Sequence, residues 1–242
     1  TTLIVRDHDG RMVWGTLSLP ANVAVKFGPD GKVYTQQGTS LKSFTVGNST
    51  AVLDVASVST INDIGFDSSG NVIVGITNSG STEVRCYDTG GSLQWSYEHG
   101  QDVRAIAVDP TNGNVLIGGG LSSVGGSNNN VRLLDNGGSL LWSKNTGDSA
   151  HTPPQITAAA CDGEGGYYVA HPRVENAAAY SSTVGTDGNE SLSSIRKYDS
   201  SGNLVWTMDH GASIYTLVVH GGYLYAGGLR SLITSVKTES WP

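Results

Sequence analysis

Apolar and polar positions alternate along this chain in short runs, and each run is closed by Gly, Asp, Asn or Ser. Four segments align without a gap: Leu3–Trp14 (LIVRDHDGRMVW), Val84–Trp95 (VRCYDTGGSLQW), Val131–Trp142 (VRLLDNGGSLLW) and Ile195–Trp206 (IRKYDSSGNLVW). In each, Asp stands fifth, Gly eighth, an apolar residue tenth and Trp twelfth. The aspartates are Asp7, Asp88, Asp135 and Asp199, and the glycines are Gly10, Gly91, Gly138 and Gly202. The pattern predicts strand, turn, strand: an Asp carboxylate can cap backbone N–H groups inside a turn, and Gly permits positive φ. Period-two alternation then puts Leu93 with Trp95, and Leu204 with Trp206, on one face of the second strand, burying the indole.

Between the hairpins lies a second unit of apolar strand, Gly turn and apolar strand. It reads Val23–Tyr34, Asp63–Val74, Val103–Gly119, Ile156–Ala170 and Ile214–Gly228. Four strands in about 40 residues are the signature of a propeller blade. Starts near 22, 61, 103, 156 and 214 predict an all-β, five-bladed β-propeller of four-stranded blades, one domain over 1–242. The innermost strands carry small residues, such as Ala105, Ala107 and Ala158 to Ala160, which suits strands converging on an axis. One copy, Ser40 to Val55, has Phe44 and Leu53 but no Trp. Residues 3–17 are expected to complete the last blade and so close the ring, which would remove exposed strand edges. Residues 230–242 are then a tail or an extra strand.

The Y-D-x-x-G-x-L-x-W hairpin of Tyr87–Trp95 and Tyr198–Trp206 resembles the PQQ-like repeat of β-propellers. The resemblance covers most of the chain and implies the fold. Quinoprotein dehydrogenases with this repeat have a vicinal disulfide and a catalytic acid beside a quinone. Here there is no adjacent Cys pair and there are too few blades, so no cofactor is expected. Outer-membrane assembly lipoproteins use the same repeat as a protein-binding scaffold.

Composition narrows the reading. Of 242 residues 33 are Gly, roughly twice the average share, and only 14% are charged. Blades buried on both faces by their neighbours would leave few strand positions facing water. The formal charge of −7 disfavours nucleic acid and anionic membranes as partners. No apolar run approaches the ~18 residues of a membrane span. The chain starts at Thr1 with no Met and no signal-like stretch, as expected of a processed chain or of an excised piece, so any targeting segment is invisible in it. The Gly/Ser/Thr/Asn-rich texture is similar to that of extracellular or phage virion β proteins.

Candidate chemistry is sparse. Short turns are expected on one face of the propeller and irregular loops on the other. The loops are Gly119–Asn130, Pro172–Ser193 and Thr146–Gln155, the last with Pro153–Pro154. Long loops on a rigid scaffold are where binding resides. The expected binding residues are Asn128, Asn129, His151, Pro153, Glu175, Asn176 and Tyr180. His99, His151, His171 and His210 fall near the same face, but His99-Gly100 and His210-Gly211 share a repeat position and read as a structural device. No metal site is therefore expected. Asp7-His8-Asp9-Gly10 and Asp162-Gly163-Glu164-Gly165 lack the rest of a calcium loop and read as capped turns. Arg85, Arg132 and Arg196 recur in the third strand and are expected to pair with acids on an adjoining strand or blade. Cys86 and Cys161 are expected to remain unbridged, with Cys161 a buried small hydrophobe. There is no nucleophile elbow or phosphate loop, and no helix follows Gly118-Gly119-Gly120.

The function expected is a non-enzymatic protein-interaction or structural module in a larger assembly, such as a phage virion or an extracellular complex. Its partners would be other assembly proteins or a surface glycan, with self-association a further expectation. A lectin-like propeller is the alternative. A small hydrolase with an axial site, for which Asp102 and the histidines qualify, is the third.

Overall fold

The structure is a computed structural model and describes residues 2–19, 23–56, 60–78, 81–100, 102–120, 129–147, 154–172, 193–210, 213–228 and 234–237. All of its regular elements are β-strands. The chain divides into two compact units, Thr1–Glu98 and His99–Pro242.

In the first unit, β1 (Thr2–Arg6) and β2 (Met12–Ser18) form a two-stranded sheet. β3 (Val25–Phe27), β4 (Val33–Gln37), β5 (Ser40–Phe44) and β6 (Ala51–Ala56) form an antiparallel sheet in that order. So do β7 (Thr60–Phe66), β8 (Val72–Asn78), β9 (Ser81–Tyr87) and β10 (Leu93–Glu98). The hairpin β1–β2 lays Trp14 on Phe44 and Val33 of one face of the β3–β6 sheet. The other face packs Tyr34, Leu41 and Leu53 against Ile61, Ile64, Val72 and Val74 of the β7–β10 sheet.

In the second unit, β11 (Val103–Val108), β12 (Val115–Gly119), β13 (Val131–Leu134) and β14 (Leu140–Lys144) form a third four-stranded sheet. A fourth contains β15 (Ala158–Cys161), β16 (Tyr167–Pro172), β17 (Ser193–Tyr198) and β18 (Leu204–His210). The last has β19 (Ile214–His220), β20 (Tyr223–Gly228) and β21 (Thr234–Lys237). Leu116, Leu133 and Trp142 pack on Ile156, Tyr167 and Val169; then Ala158, Ala160 and Tyr168 pack on Ile214, Leu217 and Leu224. The β15–β18 sheet, like the β3–β6 sheet, is thus buried on two faces.

Two expectations are corrected. There are six sheets among the described residues, not five, because the hairpin β1–β2 is a sheet of its own. Among the described residues it pairs with no strand of the last sheet, where the edge of β20 is taken by β21, in the stretch expected as a tail or extra strand. The strict alternation expected in the outer strands is also broken. A register shift stands between Leu93 and Trp95 and recurs before Trp142 and Trp206. The bulge inserts one residue, so the leucine and the indole part company. Leu93 and Leu204 are 54% and 53% exposed; Trp14 and Trp142 are buried as expected of the indole, but Trp95 and Trp206 are only half-buried.

Candidate functional site

The aspartates of the repeat hold the turns, as their position implied. The Asp88 carboxylate accepts from the N–H of Gly90 (2.9 Å) and of Ser92 (2.8 Å), while Gly91 N–H donates to the Asp88 carbonyl. The same contacts occur at Asp7, Asp135 and Asp199 in the outer turns, and at Asp67 between β7 and β8. Asp162 receives Glu164 and Gly166 N–H at 2.8 and 2.7 Å, the Tyr168 hydroxyl at 2.8 Å, and Lys197 at 3.5 Å. Burial pushes its pKa up, but those donors and the ammonium outweigh it and hold the carboxyl below its usual range. These carboxylates are committed to backbone N–H groups of their own turns.

His99 is buried. Arg132 Nη1 lies 2.9 Å from its Nδ1 and also donates to the His99 carbonyl. Guanidinium only donates, so Nδ1 accepts and the proton sits on Nε2. Burial first, and the Arg132 charge second, lower the His99 pKa to about 3. This is the structural device expected of the position. The acid that Arg85 meets stands on its own strand, not on an adjoining strand or blade as expected. Arg85 meets Glu83 and Tyr87 of its own strand, and Arg132 meets the histidine. His171 is also buried, with Nδ1 2.9 Å from the Pro172 carbonyl, and burial lowers its pKa to about 4. Cys86 and Cys161 are free thiols whose pKa values burial raises, to about 12 for Cys86. Asp102 faces Arg104 at 3.1 Å on the exposed start of β11. Among the described residues no group of three His, Cys, Asp or Glu is placed to hold a metal ion. No helix among them is long and apolar enough to cross a membrane.

Of the expected binding residues, Asn128, His151, Pro153, Glu175, Asn176 and Tyr180 lie outside the described residues. Asn129 Nδ2 donates to Ser143 Oγ at 2.7 Å, tying the start of β13 to β14. Next to it, Asn130 has a larger role that the sequence did not single out. Its Nδ2 donates to Thr146 Oγ1 (2.7 Å) and the Pro154 carbonyl (2.6 Å), and its Oδ1 accepts from Thr146 N–H. A second missed feature is the seam between sheets. The N–H groups of Ile61, Ile156 and Ile214 donate to Gln36 Oε1 (2.8 Å), the Gly119 carbonyl (2.9 Å) and Ser193 Oγ (3.1 Å) of the preceding sheet. The signal available was the shared position of the three isoleucines at the expected blade starts. The acceptors differ in type, so they leave no pattern.

A third feature is a set of exposed apolar side chains at the start of the Trp-bearing strands, in each unit by itself. Met12 and Val13, Leu93, Leu140 and Leu141, and Leu204 and Val205 are each 46–63% exposed. They occupy the tenth and eleventh positions of the repeat, so the exposure is periodic.

No known protein family and no curated protein matches the chain. Solved structures do. The computationally designed Ika8 protein aligns with 95% of this chain and 62% of its own, at 18% identity and a TM-score of 0.65. A chain of the Mitotic Checkpoint Complex aligns with 98% of this chain and 68% of its own, at 12% identity and a TM-score of 0.70. The fold is of the β-propeller kind. At these identities the likeness carries the fold alone, and the chain spans about six-tenths of the first neighbour's length.

Proposed function

We propose that residues 1–242 act as one propeller domain of PQQ-like repeats whose work is non-enzymatic: it holds other proteins in a larger assembly, such as a phage virion or an extracellular complex. The observation that carries this reading is the periodic exposure of Leu93, Leu140, Leu141, Leu204 and Val205 on the outer strands, together with turn aspartates already committed to their own turns. One similar chain belongs to a multiprotein complex, which agrees with a scaffold use of the fold. The irregular loops, with Glu175, Asn176, Tyr180, Asn128, His151 and Pro153, supply specificity, and the apolar rim supplies area.

The test is affinity purification of the chain from its native source, beside a variant shortened over 176–189 and a Leu140→Ser/Leu204→Ser variant. Assembly proteins retained by the parent and lost from either variant support the reading. Binding on a glycan array that both variants retain would favour a lectin. Turnover of generic ester or glycoside substrates would favour a hydrolase.

A further inference from the structure

The inner strands carry a second set of bulges, distinct from those before each Trp. In β7–β8, Ile61 pairs with Ile76 and Asp63 with Gly75, so Asn62 is the extra residue. In β11–β12, Val103 pairs with Gly119 and Ala105 with Gly118, so Arg104 is extra. In β19–β20, Ile214 pairs with Gly228 and Thr216 with Gly227, so Tyr215 is extra. Thr157 has the same place before β15: its N–H donates to the carbonyl of Ala170, the residue that pairs with Ala158. A residue left out of the ladder is where a sheet re-aims a side chain.

The four side chains differ in what they meet. Asn62 Nδ2 donates to Thr77 Oγ1 at 2.7 Å, and Thr157 Oγ1 donates to the Ala170 carbonyl at 3.2 Å, so both are committed to their own sheets. Arg104 and Tyr215, both in the second unit, reach solvent: the Arg104 side chain is 46% exposed and Tyr215 52%. The guanidinium is nevertheless held. Its Nη2 donates to Asp102 Oδ2 at 3.1 Å, and Gln155 Oε1 accepts from Nε at 2.9 Å and from Nη2 at 3.2 Å. Gly120 N–H donates to the Asp102 carbonyl, and a Cβ on Gly120 would lie 3.0 Å from Asp102 Cβ and 3.7 Å from Arg104 Nε. The missing side chain leaves room for the pair. Nε and Nη2 are thus occupied, while Nη1 donates to nothing among the described residues.

We propose that Arg104 is the anion-binding residue of a peptide site at the start of the second unit's inner strands, and that its ligand is an acidic side chain of a partner protein. The site rests on the scaffold reading above and gives it a chemistry. An arginine already fixed along one edge loses little freedom when its other edge takes a carboxylate. Asp102 orients the fork but repels the incoming charge, which keeps binding reversible. Tyr215, at the same step of β19, offers an aromatic face to an apolar neighbour of that acid. The β15–β18 sheet packs on both neighbouring sheets, and at this step it supplies Ala158 and a Thr157 hydroxyl that is already donating. A sugar, with a hydroxyl on most of its carbons, would leave many of them unpaired here, so a peptide carboxylate is the better fit.

Calorimetry of the full chain with a blocked peptide of alternating Glu and Leu tests the site, beside the same peptide with Gln for Glu. The Glu peptide is expected to bind, and more weakly as salt is raised. Arg104→Gln is expected to weaken it about tenfold, as the loss of one charge-assisted hydrogen bond implies, and Tyr215→Ala about threefold. Asp102→Asn keeps an acceptor for the fork and removes the like charge, so it is expected to tighten binding about threefold. A variant that gains affinity has not misfolded, so this arm separates binding from structure. The proposal is overturned by a Glu peptide that does not bind or binds no better than the Gln peptide. It is also overturned by Arg104→Gln binding as the parent does, or by Asp102→Asn binding more weakly. An oligogalacturonate that binds through Arg104 where the peptide does not would put the carboxylate on a sugar, and overturns it too. Native partners retained by the parent without peptide binding would count against this site alone and leave the scaffold reading standing.

Discussion

His99 and Asp162 respond to acid in different windows. His99 is neutral in the folded chain because burial and Arg132 hold its pKa near 3, whereas an unfolded histidine titrates near its ordinary 6.5. Between those values the unfolded state binds a proton that the folded state refuses, so stability falls as pH drops from about 6.5 toward 3. His171, lowered to about 4, adds to the same window. Each such histidine contributes a slope of at most about 1.4 kcal/mol per pH unit. Urea titrations between pH 7 and 4 are expected to show this decline, and His99→Gln to make it shallower while lowering stability at pH 7. Asp162 works on the acid side of its ordinary carboxylate value. Its folded pKa is lowered, so its contribution is complete above about 3.9 and is lost only as pH falls further through the folded value. Asp162→Ala removes the acceptor of two backbone N–H groups and the Tyr168 hydroxyl, and is expected to cost about 2–4 kcal/mol at pH 7 in the same assay.

At the scale of the strand pair, the glycine of the hairpin turn has two separable roles. Gly10 and Gly202 both have φ near +79°, so any side chain there is strained. A Cβ on Gly10 would meet nothing within 4 Å, but one on Gly202 would lie 2.8 Å from Cγ of Trp142. That indole packs on Tyr167 and Tyr198, at 6.1 and 5.6 Å between centroids, and has little room to retreat. Gly10→Ala is therefore expected to cost about 1 kcal/mol and Gly202→Ala about 2–4 kcal/mol, read from urea midpoints. This distinction was half legible in the sequence. The turn, its Asp cap and its Gly follow from one short motif, because every contact involved is local. The closing of Trp142 against the next sheet also followed from the repeat. The bulge before each Trp did not, because one inserted residue changes no composition. It is that bulge that puts Leu140 and Leu204 in solvent. Replacing both with Ser is accordingly expected to change stability by no more than about 0.5 kcal/mol each, while weakening partner retention.

For the whole molecule, repeat spacing told where sheets start but not how many sheets result. Blade starts near 61, 103, 156 and 214 coincide with β7, β11, β15 and β19. What decides the last sheet is the pairing of β21 with the edge of β20, which the residue pattern of 234–237 does not announce. The loops expected to bind are still less legible, since without a repeat a residue such as Asn129 carries no positional signal. The cores make a firmer prediction. Ile64 lies in the cluster between the β3–β6 and β7–β10 sheets, and Ile156 in the cluster between the β11–β14 and β15–β18 sheets. The two clusters share no residue. Each side chain is buried to 1% or less, so truncation to Ala leaves a cavity and is expected to cost about 2–5 kcal/mol. With no residue shared between the two clusters, the two losses should sum in the double variant to within about 0.5 kcal/mol. Denaturation followed by hydrogen exchange can also assign each loss. Ile64→Ala should release amides of β7 and β8 first, and Ile156→Ala those of β15 and β16. A double variant that loses markedly less than the sum, with both regions opening together in either single variant, would mean that the two clusters unfold as one cooperative core.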